Sequence, residues 1–297
     1  MFQILKISML CLLLTVSSNL FAVCSSWTSA QVGSLDKNVI KEASGLVAST
    51  LQVGKFIWSN DSGNNAELFA TGKDGKVART VRLSGTENQD TEALAIGPCP
   101  SNKADSCIYV GDIGDGMGWR SSFEISIFKE TDFWAKTVIN PEKIIKYAAS
   151  STNAESMIVT NEGKIIIFTK NENGISKIFI IDSITGKPTH SSQVDLNPLI
   201  AGARGKGPRI TDASLSPDGD KVLILTYGDI LEINLETVLS TLPSKQWRKG
   251  IDYNVIKGPA LPQQETITYV NSDKAFIMSS ESPNGELPPV LLYSCKN

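Results

Sequence analysis

Five segments of this chain open alike, with an acidic residue, a small one and then an apolar run: Glu42 (EASGLVAS), Glu92 (EALAIGP), Glu155 (ESMIVTN), Asp212 (DASLSPD) and Glu265 (ETITYVN). Their starts lie 50, 63, 57 and 53 residues apart. Self-similarity at such a period marks supersecondary units that bury their apolar faces only by stacking on one another. A unit of about 56 residues holds four short strands, which is one blade of a β-propeller. The 275 residues from position 23 onward have room for five units. The predicted fold is therefore all-β, a single five-bladed β-propeller over 23–297, with a six-bladed ring as the alternative. A β-sandwich would leave the repeat unexplained.

Each acid-led segment is followed by a second run rich in Val, Ile, Phe and Tyr: FIWSN from 56, CIYVGD from 107, KIIIFT from 164, VLILT from 222 and AFIMS from 275. Such runs bounded by turn residues are strand signals. Lys73-Asp74-Gly75-Lys76, Asn161-Glu162-Gly163 and Ser216-Pro217-Asp218-Gly219 supply the turns. The first blade is expected at 42–49, 55–60, 67–71 and 77–83. The last blade, at 265–270, 274–279 and 289–294, ends one strand short. A strand-like segment at 30–35 is predicted to complete it and to remove an exposed sheet edge.

Residues 1–22 carry one charge, Lys6, ahead of a short apolar run, and read as a signal peptide cleaved after Ala22. Four cysteines remain beyond it, which in an oxidising compartment suggests two disulfides out of three possible pairings. A local Cys99–Cys107 bond is favoured, and it leaves Cys24–Cys295 to join the two ends of the propeller. The expected location is periplasmic or secreted. The formal charge of −3, or −4 without Lys6, gives no footprint for nucleic acid. No later stretch approaches membrane-spanning length, and a monomer is expected.

In a propeller blade the inner strand starts on one face and the second strand returns to it. That face should collect Glu42, Glu92, Glu155, Asp212 and Glu265 at the mouth of the central channel, with 60–63, 112–115, Lys170, Asn171, Tyr227, Ser280 and Glu281 around them. The basic block at 203–209 enters the fourth blade on the same side. Carboxylates around one axis repel, and protonation or a cation relieves them. Calcium suits a set made only of oxygen ligands. Zinc and iron do not, because the sole histidine, His190, falls in an expected outer strand.

The repeat starts resemble those of two groups of calcium-dependent propellers, the calcium-activated nucleotidases (apyrases) and the gluconolactonase and regucalcin group. The resemblance implies a central calcium faced by Glu42, Glu92, Glu155 and Glu265, with Asp212 at a place that is often Ser in the nucleotidases. The Asn60–Gly63 turn (NDSG) and the Tyr109–Asp115 segment (YVGDIGD) are similar to those of exported bacterial propellers of unassigned activity. Two functions follow as expectations. One is a calcium-assisted hydrolase of a small anionic substrate, a phosphate ester or lactone, with Asp61, Asp112 and Asp115 as candidate bases and Arg120, Arg204 and Arg209 orienting the anion. The other is a non-catalytic platform for a peptide, glycan or envelope partner, with Trp58 and Trp119 available for stacking.

Overall fold

The computed structural model describes Cys24 and residues 26–148, 153–200, 207–240, 242–259, 261–281 and 285–296, with the backbone alone at 188–191. The signal-peptide segment and Arg204 lie outside the described residues. Five antiparallel sheets follow one another, as the repeat requires. Blade I runs through Ala43–Ala48, Phe56–Asn60, Glu67–Thr71 and Val77–Leu83, with the short strand Val138–Ile139 added in parallel on its outside. Blade II is Thr91–Pro98, Ser106–Asp112, Phe123–Lys129 and Lys143–Tyr147, and blade III is Ala154–Val159, Lys164–Thr169, Ile175–Asp182 and Pro188–Asp195. Blade IV is Ile210–Leu215, Lys221–Thr226, Ile230–Asn234 and Tyr253–Ile256. Blade V is Gln264–Tyr269, Ala275–Ser280 and Pro289–Lys296, and its outermost strand is Ser26–Ser34 from the beginning of the chain. The inner strands pack side by side in order, and the fifth lies against the first, so the ring is closed.

Burial explains the order. The inner and second strands of every blade are covered on both faces, and the second strands accordingly carry apolar runs such as KIIIFT and KVLILT rather than alternation. Apolar clusters fill the interfaces between neighbouring blades, for instance Tyr109, Phe123, Ile165 and Ile167 between blades II and III. The fourth strands face solvent and alternate, as Lys143–Tyr147 does. Trp58 is fully buried and its indole donates to Thr71 Oγ1 at 2.8 Å, so it belongs to the core between blades V and I.

The seam is pinned in several ways. Ser26–Ser34 pairs along its length with Pro289–Lys296, and Trp27 lies 4.9 Å from the ring of Phe276. The strand starts earlier than the expected 30–35, because Trp27 anchors a stretch whose other residues are polar and outward. Cys24 and Cys295 are disulfide-bonded with Cα atoms 5.6 Å apart, and Cys99 and Cys107 with Cα atoms 5.0 Å apart. Both expected pairings are present, and they fit an oxidising compartment. Among the described residues no helix is long and apolar enough to cross a membrane.

Candidate cation site at the channel mouth

Every inner strand begins with the same irregularity. The pairing register slips between Ala43 and Gly45, Thr91 and Ala93, Ala154 and Ser156, Ile210 and Asp212, and Gln264 and Thr266. A bulge of this kind leaves one residue unpaired and re-aims its side chain. The bulged residues are Ser44, Glu92, Glu155, Thr211 and Glu265. Three of the five acids read from sequence therefore occupy equivalent places. Glu42 and Asp212 stand two residues before and one residue after the equivalent position of their own blades.

That offset decides what each acid does. Glu42 is exposed and accepts a hydrogen bond from Asn64 Nδ2 at 2.8 Å. Asp212 is wholly buried, and its two oxygens accept from the backbone amides of Ala213 at 2.8 Å and Ile267 at 2.6 Å. It thus ties the inner strands of blades IV and V together. Burial pushes its carboxyl well above the ordinary range, against the two amides that favour the charge.

The mouth divides into two unlike halves. On the side of blades I and II, Asp61, Asp90 and Glu92 bring carboxylate oxygens within 4.8 Å of one another. The local chain is built to do this. Asn88 donates through Nδ2 to the carbonyl of Asp61 at 2.7 Å and accepts from the amide of Thr91 at 3.1 Å, which stitches blade I to the entry of blade II. Asp112 Oδ1 accepts from the amide of Asp90 at 3.0 Å, and the amide of Gly114 donates to the Asp90 carbonyl at 3.1 Å. A Cβ on Gly114 would lie 2.5 Å from Asp90 Cγ and 2.8 Å from Glu92 Cγ, so only glycine lets these acids approach. Ser44 Oγ donates to Glu92 Oε2 at 2.7 Å. Burial first, and then the charges of Asp90, Glu265 and Glu42, raise Asp61 to about 6. Burial, Glu155 and Asp61 hold Glu92 well above its usual value. Burial, with Asp112 and Asp115 adding to it against Arg120, raises Asp90.

On the side of blades III to V the acids already have a cation. Lys170 Nζ lies 2.9 Å from Glu155 Oε2 and 3.5 Å from Glu265 Oε1. Tyr227 donates its hydroxyl to the same Glu265 oxygen at 2.5 Å, and its ring centroid is 5.1 Å from Lys170 Nζ. Asn153 Nδ2 donates to Glu155 Oε1 at 3.1 Å. Burial opposes the lysine's charge, but Glu155 and Glu265 outweigh it and raise its pKa. Burial and Glu265 lift Glu155 to about 7 against the pull of Lys170. Nearby Glu281 is raised to about 9 by burial and by Glu265, Asp61 and Glu42.

The remaining candidates are committed elsewhere. Arg120 Nη1 donates to Asp112 Oδ1 at 2.6 Å and to the Gly114 carbonyl at 2.8 Å, and Asp115 Oδ1 accepts from the amides of Trp119 and Arg120. These contacts clamp the loop after the second strand of blade II. The amide of Asp115 also donates to Asn153 Oδ1 at 2.7 Å, so the loop borders the mouth and presents Trp119 to solvent at 83 % exposure. Arg209 pairs with exposed Glu172 at 3.1 Å. Of His190 only the backbone is described, and it lies in the fourth strand of blade III, as expected. Sequence reasoning missed Asp90 as a ligand candidate, because it precedes the inner strand and the bulge at Glu92 breaks the alternation that would have marked a shared face.

A space of about 450 Å³ opens at the opposite mouth of the channel. All five inner strands line it, with Ala48, Ile96, Val159, Leu215 and Thr268 among its walls. It holds no cluster of carboxylates comparable with the acidic mouth.

The fit to calcium can be tested on the donors. A calcium ion takes oxygens at about 2.3–2.6 Å, so ligands across its shell stand roughly 5 Å apart. Oxygens of Asp61, Asp90 and Glu92 within 4.8 Å of one another can share one such ion. The set contains no nitrogen or sulfur, which zinc would favour.

No family model matches the chain, and no curated protein matches it. Among solved structures it is similar to the C-terminal WD40 domain of Sif2, at 13 % identity over 87 % of this chain and 59 % of that one, with a TM-score of 0.37. It is also similar to the WD40 domain of Neurospora crassa Pan2, at 8 % identity over 86 % and 63 %, with a TM-score of 0.39. The chain thus spans about three fifths of the length of these two matched chains.

Proposed function

We propose that this chain is an exported, calcium-binding propeller that serves as a binding platform, with the ion held by Asp61, Asp90 and Glu92. The observation that carries the reading is the convergence of these three carboxylates, from the loop after one blade's second strand and the entry of the next, around a gap kept open by Gly114. Burial first, and neighbouring carboxylates after it, disfavour their charged forms, and a divalent cation would offset both. The ion's remaining positions would face the channel, beside the exposed Trp119. Exposed Glu42, with Glu155 and Glu265 sharing a single lysine, leaves the surroundings negative on balance, which favours a neutral or basic partner, a glycan or peptide with oxygen donors, over a small anion.

Hydrolysis of a phosphate ester or lactone is the second reading, and it draws on Asp61, whose value near 6 suits proton transfer. Arg120 and Arg209, engaged with Asp112 and Glu172, leave an anion less well served.

The deciding measurement is thermal unfolding of chelated, oxidised protein during calcium titration, with magnesium as control. A saturable, calcium-selective rise in midpoint, lost in Asp90→Asn, is the expected result. A flat titration would remove the reading. Turnover by the loaded protein on an ester, lactone and nucleotide panel would move the conclusion to the hydrolase.

A further inference from the structure

The mouth is asymmetric, and the asymmetry has one source. Blades II, III and V place a glutamate at the bulge, while blades I and IV place Ser44 and Thr211 there. Thr211 spends its hydroxyl on the carbonyl of Gln264 at 2.8 Å. Lys170, leaving the second strand of blade III, therefore spans the blade that has no acid at its bulge and reaches the glutamate of blade V. Glu155 and Glu265 are 4 % and 6 % exposed, so their charges are largely hidden from water. An ammonium seated between two such groups does the work of a bound ion.

We propose that Lys170 is a built-in counter-ion that confines the mouth to a single divalent cation, and that without its charge Glu155 and Glu265 become a second cation site. The inference rests on the reading that Asp61, Asp90 and Glu92 hold the first ion. The geometry supports it directly. Two carboxylate oxygens lie 2.9 and 3.5 Å from Nζ, and shifts of about 0.5 and 1 Å would bring them to the distance of a calcium ligand. The Tyr227 hydroxyl, 2.5 Å from Glu265, adds a neutral oxygen to the set. Glu281, close enough to Glu265 for each to feel the other's charge, can supply a further one. With Lys170 in place, a divalent ion there would stand against a fixed positive charge in a poorly solvated site, and repulsion at that range exceeds what two shared carboxylates return.

The test is calcium stoichiometry by calorimetry and equilibrium dialysis on the wild type, Lys170→Met and Lys170→Arg, each first chelated. One ion is expected for the wild type, one for Lys170→Arg and two for Lys170→Met. The methionine variant's midpoint should be lower than the wild type's in chelator and rise further on calcium addition. A folded Lys170→Met that takes up one ion overturns the inference while the first site stands. A wild type that binds none and a Lys170→Met that binds one would remove the first site and leave the second. Binding by neither removes both. Should Lys170→Met fail to fold, Glu155→Gln decides the matter. Its calcium affinity is expected within about threefold of the wild type, because Glu155 serves the lysine. A loss as large as that of Asp90→Asn would make Glu155 an ion ligand and overturn the inference.

Discussion

At the scale of single residues, the glycine at 114 controls the site without touching an ion. Gly114→Ala places a carbon 2.5 Å from Asp90 Cγ and 2.8 Å from Glu92 Cγ, and both carboxylates must withdraw. We expect calcium affinity to fall about tenfold, roughly 1.4 kcal/mol, by calorimetry, with the circular dichroism spectrum unchanged. An unchanged affinity would show that the carboxylates are not held as described. Glu130 offers a second case, remote from the mouth. It is wholly buried and accepts from Ser49 Oγ, the amides of Thr50 and Leu51, and the indole of Trp134. Glu130→Ala strands these donors and should cost about 2–3 kcal/mol of stability in denaturant unfolding. Neither residue announces its role in the sequence. A glycine in Gly111-Asp112-Ile113-Gly114-Asp115 reads equally as a turn former, and the partners of Glu130 other than Trp134 lie some 80 positions away in the chain. Lys170 was legible as a residue of the acidic face, but not as a half-buried cation shared by two glutamates. Nothing local distinguishes a lysine that reaches solvent from one that reaches across a channel.

At the scale of elements, the inner strands carry both the repeat and its irregularity. Acid-led copies were enough to count the blades and to set Glu92, Glu155 and Glu265 in equivalent places. They were not enough for Glu42 and Asp212, because a bulge shifts register by one residue and leaves no mark in composition. Asp212 shows the consequence: one residue past the bulge, its carboxylate turns from the axis to the amides of Ala213 and Ile267. Asp212→Ala should therefore destabilise the metal-free protein by about 2–4 kcal/mol and leave calcium affinity within about twofold. A large loss of affinity in a stable variant would return Asp212 to the ion. The two disulfides differ as elements too. Cys24–Cys295 spans 271 residues and Cys99–Cys107 spans 8. Loop-closure entropy makes the long bond the more stabilising, by about 2–3 kcal/mol. Replacing Cys24 and Cys295 with serine should lower the unfolding midpoint more than replacing Cys99 and Cys107.

For the whole molecule, the crowding of buried acids sets the response to pH. Asp61, Glu155 and Glu281 stand at about 6, 7 and 9, against ordinary values of 3.8, 4.5 and 4.5. Between each ordinary value and its raised one, the folded protein binds more protons than the unfolded chain, so stability falls as pH rises. In chelator the unfolding midpoint should decline from about pH 5 to pH 9, in the window of these shifts. Saturating calcium should flatten the part below about pH 7, where the Asp61 side of the mouth titrates. A midpoint that climbs over this range in chelator would mean that the acids are paired in some other way.

The seam joins strands from opposite sides of the ring's chain order. Residues 26–34 precede every other part of blade V, and their partner is 289–296. Four blades can stack while the ring is still an open arc, and the seam closes only when residues 289–296 are present. Pairing over so long a separation is slow. Without residues 289–296, Ser26–Ser34 loses its partner and the second strand of blade V becomes an exposed edge open to pairing with another chain.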